Sequence, residues 1–376
     1  MRDLLELREE IDGIDRRITE LYQRRMEIAG EVASYKIKNG RKVLDRERER
    51  SKLSALTALG DTEFNRHGIR ELFEQIMAVS RKRQYQLMTE AGIYEKPDFE
   101  EVETLDYKKA RIVFQGVEGA YTQLALKEYF GDGVDSYHVD TWRDAMEAIR
   151  TGSADYAVLP IENSSAGIVS ENYDLMVEYD HCIVGEQIIR IDHALLGLPE
   201  AELADITDVY SHPQALMQCS RYLEDRRGWE KHSVKNTAMA AQKVKEDGKL
   251  HKAAIASPLN AEIYGLKVLD TAIQDDRTNA TRFIIVTGRH IFVKGAKKIS
   301  ICFEVPHESG SLYHMLSHFI YNGLNMNHIE SRPVQGKNWE YRFFVDFDGN
   351  LGDAAVQNAL RGLSEETIRL KVLGNY

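Results

Sequence analysis

Residues 4–35, LLELREEIDGIDRRITELYQRRMEIAGEVASY, repeat apolar side chains at alternating spacings of three and four: Leu4, Leu7, Ile11, Ile14, Ile18, Leu21, Ile28, Val32 and Tyr35. That spacing follows one stripe of an α-helix from end to end. A single helix of about 36 residues would run about 54 Å at 1.5 Å per residue, longer than a small globule can cover. The stripe therefore predicts packing against a second copy of the chain, in an intertwined all-helical dimer. Arg25 breaks the stripe where the neighbouring turns carry apolar residues, and a guanidinium buried there needs a partner. Lys36 falls about 20° away around the axis at about 100° per residue, so two cations face one interior. Two shorter helical stretches follow, about 45–59 and about 64–88. On the second, Ser80 and Gln84 replace apolar residues on the face of Ile69, Phe73 and Ile76. With Arg8 and the charged run containing Asp45, Arg48 and Glu49, they point to a basic pocket for a small ligand bearing carboxylates, which Arg binds bidentately. The alternative is that Arg25 pairs with an internal Glu while Ser80 and Gln84 face solvent at a fraying helix end.

Composition bounds the rest. The chain has 376 residues, 43% hydrophobic and 29% charged, with 7 Pro. That is ample for two or three globular domains and unlike a disordered or fibrous chain. Lys and Arg number 49 against 60 Asp and Glu, a net charge of -11. This is the wrong balance for a nucleic-acid binder or a protein held on anionic lipid, so any anionic ligand must be met by local basic pockets. Cys182, Cys219 and Cys302 are widely spaced with no CxxC pair. No disulfide framework or zinc site is expected, and a cytoplasmic setting fits. The charged start carries no apolar signal core, and no run approaches the roughly 18 apolar residues that span a bilayer.

Residues 1–90 lack proline and hold 19 basic against 17 acidic residues, and are read as one helical domain. Residues 91–109, acidic and containing Pro97, read as a linker. From 110 to 291 the pattern is α/β: strand-like RIVFQGV, helix-like TQLALKEYF and WRDAMEAIRTG, then the buried-strand run YAVLPI. The turns GVEGAY, ENSSAG and SHPQ directly follow strand-like runs, where ligand clefts form in open α/β sheets. Residues 297–376 read strand, helix, strand, strand, helix, strand, a ferredoxin-like α+β module.

These residues carry three resemblances. Residues 1–88 resemble the all-helical chorismate mutase domain, matched at Arg8, Arg25, Lys36, Asp45, Arg48, Glu49, Ser80 and Gln84. The resemblance implies that Arg25, with Arg8 of the opposite protomer, holds the two carboxylates of chorismate. Lys36 and Gln84 would bond the ether oxygen whose bond breaks. Glu49, Asp45, Arg48 and Ser80 would serve the hydroxyl, the pocket wall and a carboxylate. The middle of the chain resembles prephenate dehydratase through six ordered blocks: GVEGAYTQLA, YAVLPIENSSAGIV, VYSHPQAL, NTAMAA, AAIAS and NATRF. This implies two α/β lobes around a cleft, like a periplasmic binding protein. Thr281 would act at the leaving hydroxyl of prephenate, Asn163, Ser211 and Gln218 would bind substrate, and Arg282 would lie beside the threonine. Glu162 and Asn236 would support the loops. The alternatives make Asn163 a turn former, Ser211 a helix cap and Arg282 part of a salt bridge, and the structural reading is preferred for Ser164, Ser165 and His212. In the first block Tyr121 stands where the family more often has Phe. The C-terminal module resembles the ACT domain through GSLY (Gly310, Ser311, Leu312 and Tyr313) and ESRP (Glu330, Ser331, Arg332 and Pro333). The resemblance implies an allosteric site for L-phenylalanine, with the helix N-terminus receiving the ligand's carboxylate.

Taken over nearly the whole chain, the resemblance is to the bifunctional chorismate mutase/prephenate dehydratase family, the P-proteins of phenylalanine biosynthesis. It implies a homodimer, with a dimer of dimers left open, and feedback inhibition by L-phenylalanine. Two competing readings are a dehydratase whose helical domain only dimerises, and a non-catalytic amino-acid sensor.

Overall fold

The structure, a computed structural model, describes residues 2–93, 97–334, 336–337 and 340–376. It divides into two units, Met1–Asp98 with Lys297–Val372 and Phe99–Ala296 with Leu373–Tyr376.

In the first unit, α1 (Leu4–Asn39) runs for 36 residues and ends at Gly40, whose φ of 61° is the left-handed conformation that closes a helix. α2 (Arg46–Thr57) is capped by the Asp45 carboxylate on Arg48 N, and α3 (Glu63–Glu90) by the Thr62 hydroxyl on Asn65 N. α1 packs on α3, yet its only buried residues are Ala29 and Ala33. Leu4, Ile11, Ile14, Ile18 and Leu21 stay about half or more exposed. α3 instead buries Met77, Ala78, Tyr85 and Met88, and it packs against the helix Ala354–Glu366 of the C-terminal module. That module follows the order read from sequence: Lys298–Glu304, Ser311–Tyr321, Met326–Pro333, Tyr341–Asp348, Ala354–Glu366, Arg369–Asn375. Its strands lie in the order second, third, first, fourth, the ferredoxin-like arrangement.

The second unit has two lobes. One sheet orders Asp135–Val139, Arg111–Gln115, Tyr156–Asn163, Ala280–Thr287 and Cys182–Arg190. The other orders Lys267–Asp270, Ala194–Gly197, Lys252–Ala256, Asp208–Ser211 and Glu230–Ser233. The chain crosses between lobes after Arg190 and again before Ala280, and these crossings bring functional motifs to one place. Asp135–Val139 escapes the sequence reading because it is an edge strand with no buried residue and no apolar alternation.

The stretch read as a linker needs correction. Glu100–Val102 pairs in parallel with Ile291–Val293, Phe99 stacks on His290, and Leu105 and Tyr107 pack on the core of the first lobe. Two exposed glutamates in a three-residue strand disguise it as solvated chain. Residues 94–96 of that stretch lie outside the described residues.

Candidate functional site

The polar residues of the helical segment converge on the space between α1, α2 and α3. Arg25, half-buried, donates to the Ser80 hydroxyl and to the Ile76 carbonyl at 3.3 Å, and among the described residues it forms no ion pair. Burial lowers its pKa, partly offset by the nearby Glu49 carboxylate. Lys36 donates to the Val43 carbonyl at 2.6 Å. Burial lowers its pKa too, against Asp45, Glu365 and Glu49. Ser80 and Gln84 are buried rather than solvated. The Gln84 amide donates back to the Ser80 carbonyl at 3.3 Å, leaving a buried Oε1 without a partner. Glu49 accepts from Arg81 at 2.6 Å. Asp45 is spent on its cap and Arg48 is exposed. Arg8 is also exposed, and it lies 17 residues before Arg25, about 25 Å along a straight helix. One chain cannot bring both arginines to the same small ligand.

The cleft of the second unit is tied together by neutral groups. Thr281 stands opposite Asn163 in the antiparallel ladder, and the Asn163 Nδ2 donates to Thr281 Oγ1 at 2.9 Å and to Asn279 Oδ1 at 2.9 Å. That donation leaves the threonine proton for another acceptor. The Asn163 Oδ1 accepts from Ser165 N, Ser165 Oγ and Ala166 N at 3.0, 2.9 and 2.8 Å. Asn163 therefore forms the turn and reaches the threonine at once. Gln218, from the other lobe, donates to Ser165 Oγ at 2.7 Å, and its Oε1 lies 3.1 Å from His193 Nε2. The His193 Nδ1 lies 3.2 Å from the Tyr121 hydroxyl, which donates to the Asp192 carbonyl at 2.7 Å. A further tie runs from Asn260 Nδ2 to the Gly119 carbonyl at 3.0 Å. Gly119 has a φ of +85°, and a Cβ there would stand 2.1 Å from Asn260 Oδ1, so only glycine fits this approach.

Arg282 and Ser211 are held by protein partners. Arg282 follows Thr281 in the strand and so points to the opposite face. There its guanidinium lies 3.5 Å from Glu186 and 3.9 Å from Glu162, the salt-bridge alternative rather than a place beside the threonine hydroxyl. Ser211 is fully buried and donates to the Ile255 carbonyl at 2.6 Å. It is no helix cap, because His212 takes that place by accepting from Gln214 N. Asn236 caps its helix at Met239 N.

In the C-terminal module Gly310, with a φ of 80°, precedes the helix that starts at Ser311 and Leu312. Along Met326–Pro333 burial alternates: Glu330 and Arg332 are half-buried, Ser331 and Pro333 exposed. The four side chains of ESRP thus divide between the two faces of the strand.

Sequence reading missed His193, Tyr121 as its hydroxyl partner, Asn279 and Asn260, and it demoted Ser165. Tyr121, Ser165 and Asn279 lie within the quoted blocks, but only the fold brings them to His193, Gln218 and Thr281. The departure at Tyr121 adds the hydroxyl that meets His193. Burial lowers the His193 pKa, against the Gln218 bond and Asp192, and raises that of Tyr121 well above its ordinary value.

Comparison with known proteins places two stretches of the chain in families. Residues 7–85 match the chorismate mutase type II family and residues 112–290 the prephenate dehydratase family. The bifunctional chorismate mutase/prephenate dehydratase of Escherichia coli (strain K12) is 34% identical, covering 99% of this chain and 96% of its own. That of Aquifex aeolicus is 33% identical over 100% and 98%. A solved prephenate dehydratase from Arthrobacter aurescens, in complex with L-Phe, superposes with a TM-score of 0.66 at 32% identity over 71% of this chain and 89% of its own.

Proposed function

The chain belongs to the family of bifunctional chorismate mutase/prephenate dehydratases, and on that premise we propose how its residues divide the two reactions and their control. It is an enzyme of L-phenylalanine biosynthesis that converts chorismate to prephenate and prephenate to phenylpyruvate.

The first step is a unimolecular rearrangement needing neither nucleophile nor proton transfer, so positioning and charge complementarity must supply the rate. Arg25 takes one carboxylate of chorismate and Arg8 of a second copy the other. Lys36 and Gln84 stabilise negative charge developing on the ether oxygen; turning the Gln84 amide over presents its Nε2 as the donor. Glu49 orients the substrate hydroxyl, with Asp45, Arg48 and Ser80 completing the wall. The observation that carries this reading is Arg25, a half-buried guanidinium whose hydrogen bonds go only to neutral oxygens. A second copy that covers the exposed stripe of α1 would also bring its own Arg8 near, which favours a homodimer.

In the second step the hydroxyl and the ring carboxylate leave prephenate, giving water, carbon dioxide and phenylpyruvate with one proton consumed. Thr281, held by Asn163 with its own proton free, donates toward the departing hydroxyl. Gln218 and Ser211 shape the substrate site, and Arg282 is left out of the ligand set. His193 and Tyr121 hold Gln218 from behind. The C-terminal module acts as an ACT domain that binds L-phenylalanine near Gly310, Ser311, Leu312 and Glu330 and inhibits the enzyme. The L-Phe complex of the Arthrobacter relative supports this. The three buried free thiols favour a reducing cytoplasm, and no described helix is long and apolar enough to cross a membrane.

The test is a steady-state assay following chorismate loss and phenylpyruvate formation separately, with and without L-phenylalanine. Chorismate loss with phenylalanine-suppressed phenylpyruvate formation fits the proposal. Persistence of chorismate while supplied prephenate is converted would reduce the helical segment to a dimerisation device.

A further inference from the structure

Arg81 belongs to none of the motifs, yet its guanidinium is held by two carboxylates. Its Nε and Nη2 donate to the two carboxylate oxygens of Glu366 at 2.9 and 3.2 Å, a bidentate fork. Its Nη1 donates to Glu49 at 2.6 Å. The Arg81 side chain is 11% exposed and that of Glu366 7%, so solvent screens this pair little. His318, 2% exposed, places Nε2 3.4 Å from the same Glu366 carboxylate. The neighbouring Glu365 accepts from Leu44 N at 3.1 Å, directly before the Asp45 cap. Two consecutive glutamates at the end of the helix Ala354–Glu366 thus brace the mutase pocket, one through the loop before α2 and one through α3.

We propose that Arg81 is a positioning residue of the mutase site, and that Glu366 of the C-terminal module sets its position. The inference rests on the mutase reading of the first unit. Glu49 must present its carboxylate to the substrate hydroxyl, and Arg81 is the group that hydrogen-bonds it from behind. One cation shared between two carboxylates leaves Glu49 part of its negative charge to offer. Without the Glu366 charge, Arg81 turns wholly to Glu49 and closes it into a private ion pair. Burial works against the Glu366 charge, but His318 and Arg81 outweigh it and bring its pKa down to about 2, so the carboxylate is charged across any ordinary assay range. A bond between two modules that served packing alone would not require a third arm on Glu49.

The experiment uses the full chain and a double-mutant cycle. Glu366→Gln should lower mutase kcat/KM about tenfold, chiefly in kcat, because a positioned group matters most in the transition state. Conversion of supplied prephenate should stay at the wild-type rate. In a Glu49→Gln background the same change should cost nothing further, because Glu366 acts through Glu49. A loss of less than twofold, or an equal loss in both backgrounds, would overturn the proposal. Arg81→Lys keeps the charge without the fork. It should show an intermediate mutase loss that also vanishes in the Glu49→Gln background, which decides the matter should Glu366→Gln fail to fold. Wild-type turnover of chorismate separates the two levels: if it is absent, the mutase reading fails and this inference with it, whereas normal wild-type turnover with an unaffected Glu366→Gln variant overturns the inference alone.

Discussion

The helical pocket and the two-lobed cleft face related dianions with opposite chemistry. Around α1 to α3 the candidate groups include cations and a carboxylate, with Arg25, Lys36 and Glu49 half-buried and Arg25 turned to neutral oxygens. In the cleft the groups around Thr281 are a threonine, serines and amides in a continuous network from Thr281 through Asn163, Ser165 and Gln218 to His193. The difference follows the reactions. A rearrangement is accelerated by fixed charge placed against a shifting charge distribution. An elimination needs a held proton donor and a surrounding that does not stabilise the departing carboxylate too well.

The contrast can be broken at its strongest points first. Arg25→Ala should lower mutase kcat/KM by about 10³, the scale of a lost electrostatic contact in the transition state, and leave prephenate conversion intact. Thr281→Ala should cost about 10² or more in prephenate turnover, the scale of a lost acid, with chorismate loss unchanged. Kinetics of both reactions on both variants check these outcomes. A smaller effect sharpens the picture of the pocket. If two copies share each site, mixing inactive Arg8→Ala and Arg25→Ala chains should restore about a quarter of wild-type mutase activity, since half the dimers are mixed and each holds one intact site. No recovery after refolding the chains together would contradict a site shared between two copies.

Acid should weaken both units. Burial lowers the His193 pKa from the ordinary 6.5. As pH falls below about 6.5, the unfolded chain binds a proton that the fold resists, and the second unit loses stability. Glu366 is held at about 2 against an ordinary 4.5. Its contribution is complete above about 4.5 and lost as pH falls toward 2. Burial also lowers the pKa of His314 in the first unit, so thermal melts should show both units weakening as pH falls below about 6.5, and His193→Gln should flatten the loss in the second unit alone.

Much of this was legible in the residues because it rests on local pattern. The stripe from Leu4 to Tyr35 announced α1, and Arg25 stood out because a stripe makes an intruder visible. The order of the C-terminal elements was readable from alternating strand and helix periods. What escaped depends on distance in the chain. Glu100–Val102 looked like linker because its partner strand lies some 190 residues away. His193 offered no spacing signal, since Tyr121 and Gln218 reach it from different lobes. Arg282 was placed beside Thr281 by the resemblance alone, whereas neighbours in a strand send their side chains to opposite faces. Arg81 looked like any surface arginine, and only the packing of a helix from the other end of the chain makes it part of the mutase pocket.

The central claim is that two reactions run at two independent sites in one chain. The most direct measurement feeds chorismate to the Thr281→Ala enzyme and prephenate to the Arg25→Ala enzyme, following each product over time. The account predicts that the first accumulates prephenate at the wild-type rate of chorismate loss and forms almost no phenylpyruvate, while the second forms phenylpyruvate at the wild-type rate. Loss of both activities in either variant, with the protein still folded, would contradict it.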